Sequence, residues 1–86
     1  MSFPSHPALS EEFRVLSVMH NIGATTPERS MTVDELTQRI DMNASAIRAC
    51  IQKLRELGYV EPVKMRDIEK YHLTQIGIIK VLTLYS

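Results

Sequence analysis

Between Asn43 and Arg55 the chain sets out a polar series: Asn43, Ser45, Arg48, Gln52, Lys53 and Arg55. On a helix, Arg48 and Gln52 stand one turn apart on the same side. Their chemistry at that spacing is recognition of base edges. A guanidinium can donate two hydrogen bonds to a guanine edge, and a carboxamide can pair with an adenine edge. Ser45 and Asn43, near the start, suit phosphates or bases, whereas Lys53 and Arg55 sit where backbone contacts are expected. Farther on, Lys64 and Arg66 suit phosphates or a minor groove. The same residues also describe a solvated helix face and a soluble hairpin tip, and their pattern alone does not separate the two readings.

Other chemistries lack a frame. No nucleophile is paired with a positioned base, no glycine loop is built for phosphate, and no two acids are convincingly paired, so an enzyme is not expected. His6, His20 and His72 are scattered, and a single cysteine, Cys50, can form neither an internal disulfide nor a thiolate metal site. Cys50 adjoins an apolar row, which makes it a small core residue rather than a redox sensor. No metal or other cofactor is expected. No apolar stretch approaches the roughly 20 residues that span a bilayer, and no signal segment is present, so a cytoplasmic setting away from membranes is expected.

Charge is balanced overall, at ten basic and ten acidic residues, which counts against indiscriminate binding of nucleic acid. It is nonetheless polarised. Residues 1–43 hold three basic and six acidic side chains, whereas residues 44–66 hold five and two, a local excess of three positive charges around the polar series.

The elements that position this series can be read in order. Residues 1–9, with Pro4 and Pro7, form an extended arm. Ser10 can cap a helix over Glu11 to Asn21, with Glu11 and Glu12 suited to its positive end. That helix carries two apolar rows, Phe13 and Leu16 continued by His20, and Val15, Met19 and Ile22, the second of which calls for another partner, either a later helix of the same chain or a second subunit. Gly23 to Arg29 is a loop, and Ser30-Met31 a brief edge of sheet. Thr32 and Glu35 match a capping box for a second helix running to about Ile40. Asp41-Met42 make a turn, and Asn43 caps a third helix from Ala44 to Leu57, closed by Gly58. Ile47, Ile51 and Leu54 face inward, which turns Ala44, Ser45, Arg48, Ala49 and Gln52 outward. Two helices so closely joined cross steeply, as a helix-turn-helix does over residues 32–58.

Residues 59–73 read as a hairpin. Tyr59 to Met65 contains Pro62 and belongs at an edge, the tip lies between Met65 and Glu69, and Lys70 to Leu73 returns with Tyr71 and Leu73 on one face and Lys70 and His72 on the other. Thr74 caps a last helix over residues 75–85. That helix is apolar around most of its girth, and together with the second row of the first helix it predicts a homodimer through Phe13, Val15, Met19, Ile78, Ile79, Leu82 and Tyr85. The same rows can line an effector pocket, but core and dimer contact is the use expected of them.

From Leu36 to Gly77 the sequence resembles the winged-helix transcription regulators, in particular the MarR-like group and the small winged-helix proteins of archaea and their viruses. Leu36 and Ile40, Met42-Asn43, Ile47, Ile51 and Leu54, Gly58-Tyr59-Val60, and Tyr71-His72-Leu73-Thr74-Gln75-Ile76-Gly77 carry the likeness, the last similar to a Leu-Thr-x-x-Gly that follows the wing. Thr37, Asp41 and Ala49 depart from it, standing where the family favours Ala, Gly and Arg. The resemblance implies one mainly α domain over residues 1–86, a three-helix core with a small β-hairpin wing and an added C-terminal helix. It implies a dimeric regulator that reads double-stranded DNA with the third helix. The same scaffold also serves as a protein-protein interaction module within larger assemblies, and neutral charge suits that alternative.

Overall fold

Helix formation begins with side chains that satisfy orphan amides. In the structure, a computed structural model that describes residues 10–84, Ser10 Oγ accepts from the Phe13 amide at 3.3 Å and opens α1 (Glu11–Asn21). Thr32 Oγ1 accepts from the Glu35 amide at 3.0 Å while Glu35 Oε1 accepts from the Thr32 amide at 2.9 Å, so the capping box forms and opens α2 (Val33–Thr37). Asn43 Oδ1 accepts from the Ala46 amide at 2.8 Å and opens α3 (Ala44–Glu56). The expected arm over residues 1–9 and Tyr85 lie outside the described residues.

Helix α2 stops three residues short of Ile40. The Thr37 hydroxyl donates back to the Asp34 carbonyl, an alternative to continuing the ladder for a β-branched residue with low helix preference. Gln38 to Met42 descend in turns, yet Ile40 is still buried. At the far end of α3, the Gly58 amide donates to the Arg55 carbonyl and the Tyr59 amide to that of Leu54, both at 2.9 Å. This is the Schellman closure, and it needs the positive φ of 82° that Gly58 adopts.

Strands β1 (Val60–Met65) and β2 (Ile68–Leu73) pair antiparallel from Val60 opposite Leu73 to Met65 opposite Ile68. Pro62 lies opposite Tyr71, whose amide and carbonyl instead bond Met31 on the other side, each at 2.8 Å. The proline therefore interrupts no bond that Tyr71 needs. The expected edge at Ser30-Met31 is this single bridge, and the Leu73 amide extends the same border by donating to the Ala24 carbonyl at 2.8 Å. A 3-10 turn (Pro27–Arg29) joins these two points.

One apolar cluster lies between α1, α2, α3, the hairpin base and α4 (Gln75–Leu84). Leu16, Leu36, Ile47, Leu54 and Val81 have no exposed surface, and neither do Val15 and Met19. The last two were expected at a subunit interface, and the fold corrects this: with α3 and α4 both packed on α1, its second row is consumed inside the chain. His72, on the face opposite Tyr71 and Leu73, is also buried. The base of β2 is covered by α1, α4 and the 3-10 turn. There the His72 Nδ1 lies 2.9 Å from the Leu73 carbonyl and Nε2 lies 3.5 Å from the Glu61 carboxylate.

Thr74 joins these parts. Its amide donates to the Tyr59 carbonyl at 2.9 Å, its hydroxyl donates to that of Gly58 at 2.6 Å, and the same oxygen accepts from the Gly77 amide at 3.0 Å. Gly77 meets Tyr59 so closely that an added Cβ would lie 2.1 Å from its carbonyl oxygen. Two core groups titrate in the alkaline range. Burial pushes the Cys50 thiol up from its ordinary 9.0, with Glu12 and Glu11 adding and Arg14 opposing, so the thiol stays protonated and inert. Burial likewise raises the Tyr71 phenol from 10.0, helped by its hydrogen bond to Glu69 and opposed by the charges of Arg55 and Arg48.

Gly77→Ala is expected to destabilise the fold by about 3 kcal/mol or more, since backbone must move to admit one methyl; urea unfolding measures this. Both raised groups are neutral when protonated and hold the proton more tightly in the folded chain. Their stabilisation is therefore complete below pH 9.0 and is lost as pH rises through the raised values. Urea midpoints followed from about pH 8 to about pH 11 should fall, and Tyr71→Phe should remove the part that sets in above its ordinary value.

Candidate nucleic-acid interface

Helix α3 buries Ile47, Cys50, Ile51 and Leu54 and leaves Ser45, Arg48, Ala49, Gln52, Lys53, Arg55 and Glu56 exposed. At 3.6 residues per turn, Ser45, Ala49, Gln52 and Glu56 run along the middle of that face. Arg48 and Arg55 share one flank, and Lys53 takes the other. Ala44, expected to point outward, is instead half-buried against the core. The Asn43 side chain is exposed, but its carbonyl oxygen is spent on the cap and only its amide hydrogens remain for a ligand.

Two features of this face were not singled out from sequence. Glu56 receives a hydrogen bond of 3.5 Å from Gln52 Nε2, so one amide hydrogen of Gln52 is engaged while its carbonyl oxygen stays available. The second is the neighbour of the Arg48 and Arg55 flank. Their charges bear on the Tyr71 phenol of the wing and oppose the rise of its pKa. Only helical spacing signalled the first, as an (i, i+4) pair; the second joins residues far apart in the chain and had no local signal.

The wing places Lys64 and Arg66 on exposed positions of a separate element. Arg66 and Asp67 form a two-residue tip, and Arg66 takes φ of 58°, a left-handed conformation that costs a side-chain-bearing residue about 1 kcal/mol. Met65 and Ile68 flank the tip as an exposed apolar pair. Over residues 60–73, Lys64, Arg66 and Lys70 are matched by Glu61, Asp67 and Glu69, so the wing has no net charge. Helix α3 has Arg48, Lys53 and Arg55 against Glu56, an excess of two. The positive field therefore rises from the helix. Among the described residues no cluster of His, Cys, Asp and Glu could hold a metal ion, and no helix is long and apolar enough to cross a membrane.

The architecture has solved counterparts. The DNA-binding TubR fragment from Clostridium botulinum superimposes with a TM-score of 0.77 at 26% identity, over 91% of this chain and 99% of that one. F-93 of SSV1 does so with a TM-score of 0.70 at 18% identity, over 94% of this chain and 88% of its own. A mutant of ZitR from Lactococcus lactis gives 0.68 at 12% identity, over 99% of this chain and 56% of its own. The last two likenesses speak for the fold alone. No curated protein sequence matches the chain. A family model described as a winged helix DNA-binding domain matches residues 14–77, a span that contains most of α1, both helices of the helix-turn-helix, the wing and Gly77. This chain belongs to the winged helix DNA-binding domain family.

Proposed function

We propose that the protein is a sequence-specific, DNA-binding transcription regulator of the MarR-like kind, that residues 1–86 act as one domain, and that α3 enters the major groove. The observation that carries this is the exposed face of α3, where Ser45, Arg48, Gln52 and Arg55 converge above a fully packed opposite side. Arg48 and Gln52 read base edges, Ser45 and the Asn43 amide hydrogens contact the start of the site, and Lys53 and Arg55 hold the backbone on either flank. Lys64 and Arg66 supply wing contacts. The role is one of binding, without catalysis or cofactor, and sets the protein in the cytoplasm with the genome.

The working unit in this reading is a homodimer. On α4, Ile76, Ile79 and Leu82 are 60%, 56% and 54% exposed. Burying a large aliphatic side chain stabilises by roughly 1.5 to 3 kcal/mol, so a second copy seated here gains substantially. Phe13 and Ile78, half-buried beside this face, complete it; Lys80 lies over the Phe13 ring at 5.4 Å from its centre. Two recognition helices then address half-sites about one helical turn apart. The neutral wing with its Met65-Ile68 tip favours a second reading, a protein-protein interaction module within a larger assembly.

Binding to genomic fragments, the protein's own upstream region included, should weaken steeply with salt as counterions are released. Arg48→Ala should cost roughly 1 to 3 kcal/mol at a specific site. Absence of binding at low salt, with a protein partner co-purifying, transfers the case to the interaction module. Light scattering at micromolar concentration should give a dimer mass for the wild type and a monomer for Ile79→Glu; a wild-type monomer overturns the dimer.

A further inference from the structure

Glu56 is the sole acid of α3 and stands at its last position. Two general forces oppose a carboxylate there. The negative end of the helix dipole favours cations, and a nearby DNA phosphate repels another anion. Lys53 and Arg55 are close in sequence, yet among the described residues Glu56 forms no ion pair with either. Its side chain instead meets Gln52: Nε2 of Gln52 donates to Glu56 Oε2 at 3.5 Å, with both residues exposed on the middle row of the outward face. Ala49, the next member of that row toward the start of the helix, offers only a methyl and no competing polar group.

The donors left to Gln52 decide what it can read. A free carboxamide has two N–H donors and one acceptor oxygen. With both donors free it can meet N7 and O6 of guanine, which are acceptors, or use one donor and the oxygen on N7 and the N6 amino group of adenine. Once Glu56 takes one donor, the guanine pairing loses a bond and the adenine pairing keeps both of its own. The carboxylate accepts only, so it cannot itself satisfy the guanine edge. We infer that Glu56 is a positioning residue for base recognition, holding one Gln52 hydrogen so that the carboxamide selects adenine over guanine. The inference rests on the DNA-binding reading above and adds to it a residue that gives up affinity for selectivity.

The test measures relative affinities of wild type, Gln52→Ala, Glu56→Ala, Glu56→Gln and the double variant Gln52→Ala with Glu56→Ala. The probes are the segment that wild type protects in the protein's own upstream region, and duplexes in which each A·T pair of that segment is replaced in turn by G·C. Gln52→Ala should flatten the preference at a base pair and so identify its target. At that pair Glu56→Ala should lower the adenine-over-guanine ratio roughly fivefold or more, the low end of what a bidentate pair discriminates. Glu56→Gln keeps an acceptor for Gln52 without the charge, and should retain most of the ratio. Loss of the charge tightens binding to every duplex alike, which the ratio cancels, and an (i, i+4) contact that only steadied the helix would leave the ratio unmoved. In the Gln52→Ala background, Glu56→Ala should not alter the ratio, because its effect passes through the carboxamide. A ratio unaltered by Glu56→Ala, or lowered as much by Glu56→Gln, overturns the inference while Gln52→Ala still marks a base pair. A wild type that binds no duplex at low salt, or a Gln52→Ala variant with every preference intact, overturns the reading on which the inference rests.

Discussion

The relation between helix and wing depends on one oxygen. Thr74 Oγ1 donates to the carbonyl of Gly58 and accepts from the amide of Gly77, so a single hydroxyl ties the end of α3 to the start of α4. The Thr74 amide adds a bond to Tyr59, and β2 ends immediately before it. These bonds satisfy backbone groups that would otherwise be orphaned near the core, at a cost of about 1 to 3 kcal/mol each if left unmade. The absence of a side chain at Gly77 permits the approach. The pitch of the recognition helix against the hairpin is thereby set by local chemistry at their junction, and the exposed face of α3 inherits that rigidity.

On this frame the charges are laid out unevenly. Helix α3 holds the positive excess and the wing holds none, so attraction to a polyanion originates at the helix. The left-handed Arg66 at the tip runs against the preference of its residue type. Fold membership does not settle which ligand meets this surface; the combination of a packed inner side and a polar, partly cationic outer side is what recommends DNA.

The apolar inventory resolves in a similar way. Both rows of α1 contribute to the core, since α3 and α4 approach it from different sides. The surplus apolar surface then lies mainly on α4, through Ile76, Ile79 and Leu82, and at the wing tip, through Met65 and Ile68. A partner for the protein is accordingly sought on α4 rather than on the buried side of α1.

Local rules determined much of this protein from its sequence. The Ser10, Thr32, Asn43 and Thr74 caps, the capping box with Glu35, the Gly58 closure and the inward row Ile47, Ile51 and Leu54 all depend on neighbours within a few residues, so their spacing was legible. The winged-helix order and the outward placement of Ser45, Arg48 and Gln52 follow from the same short-range geometry. Tertiary structure decided the rest. It buried Val15, Met19 and His72, which periodicity alone left free to face a partner or solvent. It also bonded Tyr71 to Met31 and set the Thr74 hydroxyl on the Gly58 carbonyl. Those contacts join residues distant in the chain, and their energies depend on which surfaces meet once the elements pack. Helical and strand periods say which side a residue is on, but only packing says what stands opposite.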